Sequence, residues 1–180
     1  MEKGKFRKDY EVNPVTVAII AEKVDGYYLS YVLESNGTTD YVKQSPISLI
    51  DLACKYFGSS LKGRQEGTRM ILNVKHKVPI SIDPSSGMYF FPTTSPQQPF
   101  CSWISHSYVY TIRRTPGNGT EFVFRNGKSI FLDVSYGSML NQLQRTAQFR
   151  YLLEERIHFK KTKTPTNHPK ESEDDLLNLH

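Results

Sequence analysis

The apolar pattern of the chain changes period several times, and each change marks an element. Residues 15–21 (VTVAIIA) and 27–33 (YYLSYVL) are rich in β-branched, aromatic and aliphatic side chains. Such runs predict strands, and Asp25-Gly26 between them is a hairpin signal. Residues 41–43 extend that sheet. The period then widens. Ile47, Ile50, Cys54 and Phe57 recur every three or four positions, which is one face of a helix. Ser45 supplies the N-cap, Pro46 the first helical position and Gly58 a left-handed stop. Cys54 falls on the apolar stripe and is expected in a core. Residues 58–68 (GSSLKGRQEGT) break the pattern with three glycines and three charges. They are expected to form a loop or a short helical turn. Strands are predicted at 70–74 and 78–82, on either side of Lys75-His76-Lys77, and at 88–91. A proline- and glutamine-bearing loop follows at 93–99.

The clearest pattern lies between 104 and 134. A strand over 105–112, a Pro-Gly-Asn-Gly turn, a strand over 120–125, an Asn126-Gly127 turn and a strand over 128–134 predict a three-stranded meander. A two-residue turn at Asn126-Gly127 sets Arg125 opposite Lys128 and Phe122 opposite Phe131. Residues 138–158 predict a long helix with Leu140, Leu143 and Ala147 inward. The fold class that results is α+β. It is a single domain, mainly antiparallel sheet, with a short helix near 47–57 and a long C-terminal helix near 138–158. Residues 1–10 are expected to be a flexible terminus, 11–158 the folded domain, and 159–180 a polar, disordered tail.

Composition narrows the setting. At 180 residues the chain can bury a full core. It contains no run of about 18 apolar residues, so no membrane partner is expected. The charged N-terminus precedes too short an apolar stretch for a secretory signal. Cys54 and Cys101 are the only cysteines, which fits a reducing cytoplasm better than a disulfide framework. Net charge is +5, and its placement matters more than its size. Residues 51–150 hold twelve Lys/Arg against five Asp/Glu, whereas 1–50 and 151–180 are each slightly acidic. A basic folded body suits a polyanion.

Catalytic and cofactor chemistry finds no pattern here. Gly58 and Gly63 have P-loop spacing, but Arg64-Gln65 stands where Lys-Ser/Thr is required. Gly63 and Gly67 are then expected to serve turns or a close approach of backbone. Cys54, His76, Cys101 and His106 lack metal-ligand spacing. The few carboxylates (Asp51, Glu66, Asp83, Glu121, Asp133) show no paired motif for acid–base work. No catalytic residue, cofactor or metal is expected, and no enzyme. Tyr89, Phe90, Phe91, Trp103, Tyr108 and Tyr110 could stack single-stranded bases, although such residues more often build sheet cores.

Four blocks carry a resemblance: residues 58–68 (GSSLKGRQEGT), 76–80 (HKVPI), 90–96 (FFPTTSP) and 101–106 (CSWISH). FRNGK at 124–128 and NQ-x-x-RTA at 141–147 add to it. In this order and spacing, over roughly residues 10–157, the chain resembles the bacterial competence transcription factor family, often called ComK. The resemblance implies a cytoplasmic, nucleoid-associated transcription activator of DNA-uptake genes. It implies recognition of AT-rich boxes (AT-box) largely through the minor groove, as a homodimer or dimer of dimers, with RNA polymerase as the partner in activation. A-tracts narrow the minor groove and deepen its negative potential, which draws in arginine. The candidate DNA-binding residues, chosen on charge, are Lys62, Arg64, Arg69, Lys75, Lys77, Arg113, Arg114, Arg125, Lys128 and Arg145. The resemblance also implies a Clp-protease adaptor that engages a short hydrophobic segment near the C-terminus. Here the chain departs from the family pattern, because Leu176, Leu177 and Leu179 are the only apolar residues of the last ten. The alternative function is a protein-binding regulator that pairs with a related factor without itself binding DNA.

Overall fold

The computed structural model describes residues 6–158. It has nine strands and three α-helices in three layers. The central layer is a six-stranded antiparallel sheet. Its strands are β1 (Thr16–Val24), β2 (Tyr27–Glu34), β3 (Thr39–Val42), β4 (Ile80–Asp83), β5 (Met88–Pro92) and β6 (Trp103–Ser105), in the order β3-β2-β1-β6-β5-β4. A smaller sheet runs β7 (Val109–Arg114), β8 (Thr120–Phe124), β9 (Ser129–Leu132). The helices are α1 (Pro46–Tyr56), α2 (Leu61–Leu72) and α3 (Tyr136–His158). The α+β class, the antiparallel sheets, the first helix and the long last helix agree with the sequence reading.

Side chains on successive strand positions point to opposite faces, and the central sheet uses both. Ile19, Phe90 and Trp103 join one core with Ile50 and Cys54 of α1. Their neighbours Ala18, Phe91 and Ile104 join a second core with Phe122 and Phe124 of the small sheet and Met139 of α3. A sheet covered on both faces reads as continuous apolar runs, as the segments 15–21 and 88–91 do. Trp103, Tyr89, Phe90 and Phe91 are fully buried, so these aromatics build core and do not face bases.

Five expectations need correction. Residues 61–72 are a helix, not a loop followed by a strand. Ser60 caps it by accepting from the Gly63 N–H at 3.0 Å, and Asn73, in the left-handed region at φ 52°, ends it. Gly63 and Gly67 therefore lie inside a helix and not in turns. The run 105–112 is split: a 3-10 turn at His106–Tyr108 carries the chain from the central sheet to the small one. In the β8–β9 hairpin the Phe124 N–H donates to the Lys128 carbonyl and the Gly127 N–H to that of Phe124. That makes a three-residue loop with Gly127 at φ 81°, a turn closed by a left-handed glycine. Lys128 therefore faces Phe124, not Arg125. The register shifts by one, so Phe122 opposes Ile130, and Phe131 opposes Glu121 with 69% of its surface exposed. A one-residue shift sends every side chain to the other face.

The fifth correction concerns α3. Its buried stripe is Met139, Gln142, Thr146 and Phe149, while Leu140 and Ala147 are exposed. Two polar residues face the core, and each donates one hydrogen bond there. Gln142 Nε2 donates to the Pro92 carbonyl at 2.7 Å, and Thr146 Oγ1 to the Gln142 carbonyl at 2.6 Å. Of the segment 1–10, residues from Phe6 onward lie on the body. Arg7 bridges to Val42, and Tyr10 is buried with its hydroxyl on Thr16 and Glu34. The tail 159–180, with its expected disorder and the adaptor segment, falls outside the described residues.

Candidate nucleic-acid interface

The four sequence blocks, far apart in the chain, meet in space. The block 90–96 pairs with 101–106 through β5 and β6, where Pro92 faces Trp103 and Phe90 faces Ser105. The Thr93 N–H donates to the Ser102 carbonyl, and Ser102 N–H donates back to Thr93 Oγ1. The block on α3 ties to two others: Gln142 to Pro92, and Arg145, whose NH1 donates to the His76 carbonyl at 3.1 Å. Helix α2, made from the first block, packs against α3 and β4.

Four of the ten candidate cations gather at this junction. Arg69 Nε donates to the Lys75 carbonyl at 3.2 Å. Arg145 holds the next carbonyl, that of His76. Two guanidinium groups thus fix the 75–77 turn from opposite helices, each with further N–H donors left over. Lys77 sits in the turn at φ 49°, and Lys75 is exposed. Among the described residues none of Arg69, Lys75, Lys77 and Arg145 has a carboxylate within 4.0 Å, whereas five ion pairs form elsewhere.

The other six candidates lie apart. Lys62, at the start of α2, is 4.0 Å from Glu66. Arg64, on the same helix, is half-buried, and its charge reaches Cys54. Burial nevertheless pushes the Cys54 thiol up to about 11, so that sulfur is a core atom and not a nucleophile. Arg113 is 3.6 Å from Glu121, its partner in the β7–β8 register. Arg114 lies over the Tyr136 ring, 5.3 Å from its centroid. At the opposite end of the meander, Arg125 Nε donates to the Ser107 carbonyl at 2.9 Å and Lys128 Nζ to that of Gly37 at 2.5 Å. The structure therefore does not unite the two basic ends of the meander with the 75–77 turn.

Sequence reasoning missed several residues. Arg150, the next cation along α3, stacks 4.9 Å over the Tyr89 ring, donates to Ser107 Oγ and pairs with Glu154. Gln65 and Gln97 line the cleft beside the 75–77 turn. Reading 61–72 as a helix would have found Gln65, because Leu61, Gln65 and Arg69 then share one face at spacings of four. Gln97 carried no signal beyond a polar loop.

The sequence profile of the ComK protein family matches residues 7–158. The competence transcription factor of Bacillus subtilis (strain 168) is 41% identical over 150 residues, covering 83% of this chain and 78% of that protein. No solved structure matches the chain. A profile match over nearly all the described residues, and a relative of this identity and coverage, agree with the way the sequence blocks assemble around one junction. The chain belongs to the ComK family.

Proposed function

We propose that this protein is a transcription factor of competence that binds duplex DNA, and that the 75–77 turn with Arg69 and Arg145 is part of its contact surface. The observation that supports this most directly is the convergence of four cations without a carboxylate on a turn held by two arginines. Most phosphate contacts in protein–DNA interfaces come from Arg, Lys and main-chain donors, and a fixed turn presents them without further ordering. Lys62, Arg64, Arg113, Arg114, Arg125 and Lys128 are secondary candidates, because they lie apart from this cluster.

The finer reading is an activator that selects AT-rich boxes through the minor groove, acts as a dimer or dimer of dimers, and works with RNA polymerase in the cytoplasm. Among the described residues no helix is long and apolar enough to cross a membrane. The test is a gel-shift titration of the full chain against A-tract and GC-rich duplexes at two salt concentrations. The expected result is preference for the A-tract and steep weakening with salt. Equal affinity for both sequences removes the selective reading. Absence of binding to either, together with a heterodimer formed on mixing with a related factor, favours the protein-binding alternative.

A further inference from the structure

The geometry points to a nucleoside-phosphate site in the cleft between α2, the 75–77 turn and the loop after β5. This cleft measures about 380 Å³, within the range of small-ligand sites. Its rim carries Arg69, Lys75 and Lys77, with His76 between the two lysines, and no Asp or Glu lines it. Three cations in one concavity repel one another, and an anion relieves that repulsion more strongly there than on an open surface. The Lys75 carbonyl is already clamped by Arg69 and the His76 carbonyl by Arg145, so the rim is fixed before a ligand arrives.

A bare anion would leave half of the cleft unused. The lining also has an apolar part: Leu61 and Val78, both buried, with Ile47 and Pro96. Gln65 of α2 and Gln97 of the loop after β5 each add a carboxamide, with two donors and an acceptor. The apolar lining suits a flat ring, two carboxamides match the mixed donor–acceptor edge of a nucleobase, and the cationic rim takes its phosphate. The nucleotide has two possible sources, a free nucleotide or a unit of a bound DNA strand.

The test uses the full-length protein and three probes: AMP, adenosine and inorganic phosphate, read by calorimetry and by amide shifts at Gln65, His76 and Gln97. AMP is expected to bind with a dissociation constant below about 1 mM, and at least about tenfold more tightly than either fragment alone, because base and phosphate are held together. Lys75→Ala combined with Lys77→Asn is expected to weaken AMP about tenfold, the effect of losing a charge-assisted hydrogen bond. Asparagine is chosen because it tolerates the left-handed backbone at 77, and an unchanged Tm shows that the variant is folded. The proposal is overturned if AMP gives no saturable signal up to about 10 mM, if phosphate alone binds as tightly as AMP, or if the folded variant binds AMP normally. A folded Gln65→Ala variant combined with Gln97→Ala, expected to weaken AMP, then identifies the source. Weakened binding of the A-tract duplex as well means that the cleft holds a nucleotide of DNA, and unchanged duplex binding means a free nucleotide ligand of its own. Should the protein ignore DNA altogether, the AMP titration still reads the cleft, so the two proposals fail separately.

Discussion

Lys75 and Lys62 differ in what surrounds their charge, although the sequence offers both as exposed cations. Lys62 has Glu66 one turn away, while Lys75 has no carboxylate within 4.0 Å among the described residues. A cation with a carboxylate partner must break that pair to meet a phosphate. Lys75→Ala is therefore expected to cost DNA affinity by about tenfold or less per lost phosphate contact, and Lys62→Ala much less, as a gel shift at low salt will read. His106 makes a different prediction. Burial first, and the charges of Arg150 and Arg125 next, hold its imidazolium below the ordinary 6.5. The unfolded chain then binds more protons than the folded one between the two values, so stability rises with pH through that window. The protein is expected to lose denaturant resistance as pH falls below about 6.5, reaching a floor once the folded form titrates too. His106→Gln should flatten that part of the pH profile.

At the scale of elements, α2 owes its start to two side chains. Ser60 Oγ satisfies the Gly63 N–H, and Asp51 Oδ1 accepts the Leu61 N–H. Ser60→Ala is expected to cost about 1 kcal/mol in denaturant unfolding, and with it some order in the Arg69 clamp. The β8–β9 hairpin depends on Gly127 at φ 81°. A β-branched residue there is strained by the backbone alone, so Gly127→Val should destabilise the hairpin. Its effect should appear first as lost amide protection at Phe124 and Lys128. These two elements also show where local patterns mislead. Three glycines and three charges between 58 and 68 read as a loop, yet a capping serine and the buried positions Leu61 and Thr68 outweigh the glycines. Asn-Gly reads as a two-residue turn, yet the Phe124–Lys128 pairing makes it three. In both cases the competing conformations lie close in energy locally, and packing selects one: Leu61 of α2 joins the first core, and Phe122 and Phe124 of the hairpin join the second.

For the whole molecule, the central sheet is the frame on which both cores rest. Trp103, without exposed surface, lies in the core beneath α1, while its neighbour Ile104 packs on the opposite face. Trp103→Ala is expected to cost about 3–5 kcal/mol, enough to unfold a domain of ordinary marginal stability, and circular dichroism against denaturant will measure it. The ComK family membership was legible from six short blocks, and five of them, all but 124–128, meet at the junction between α2, β5, β6 and α3. The cluster at the 75–77 turn was legible only as three separate charges, Arg69, Lys75 and Lys77, plus a distant Arg145. If the four gathered cations each replace one counterion on DNA, log affinity should fall with log salt at a slope of about −3.6 per protomer.

The order of strands and helices along most of the chain, α1, α3 and the family are set by near neighbours in the sequence. Backbone stereochemistry and the spacing of apolar residues act within a few positions, so a linear reading captures them. Which cations share a surface, which stay unneutralised and which cleft they border was decided only by the fold. The contact from Arg145 to the His76 carbonyl spans 69 residues and that from Gln142 to Pro92 spans 50. No local periodicity encodes such a meeting, because it exists only once two layers have packed and the energy of burying them has chosen the register.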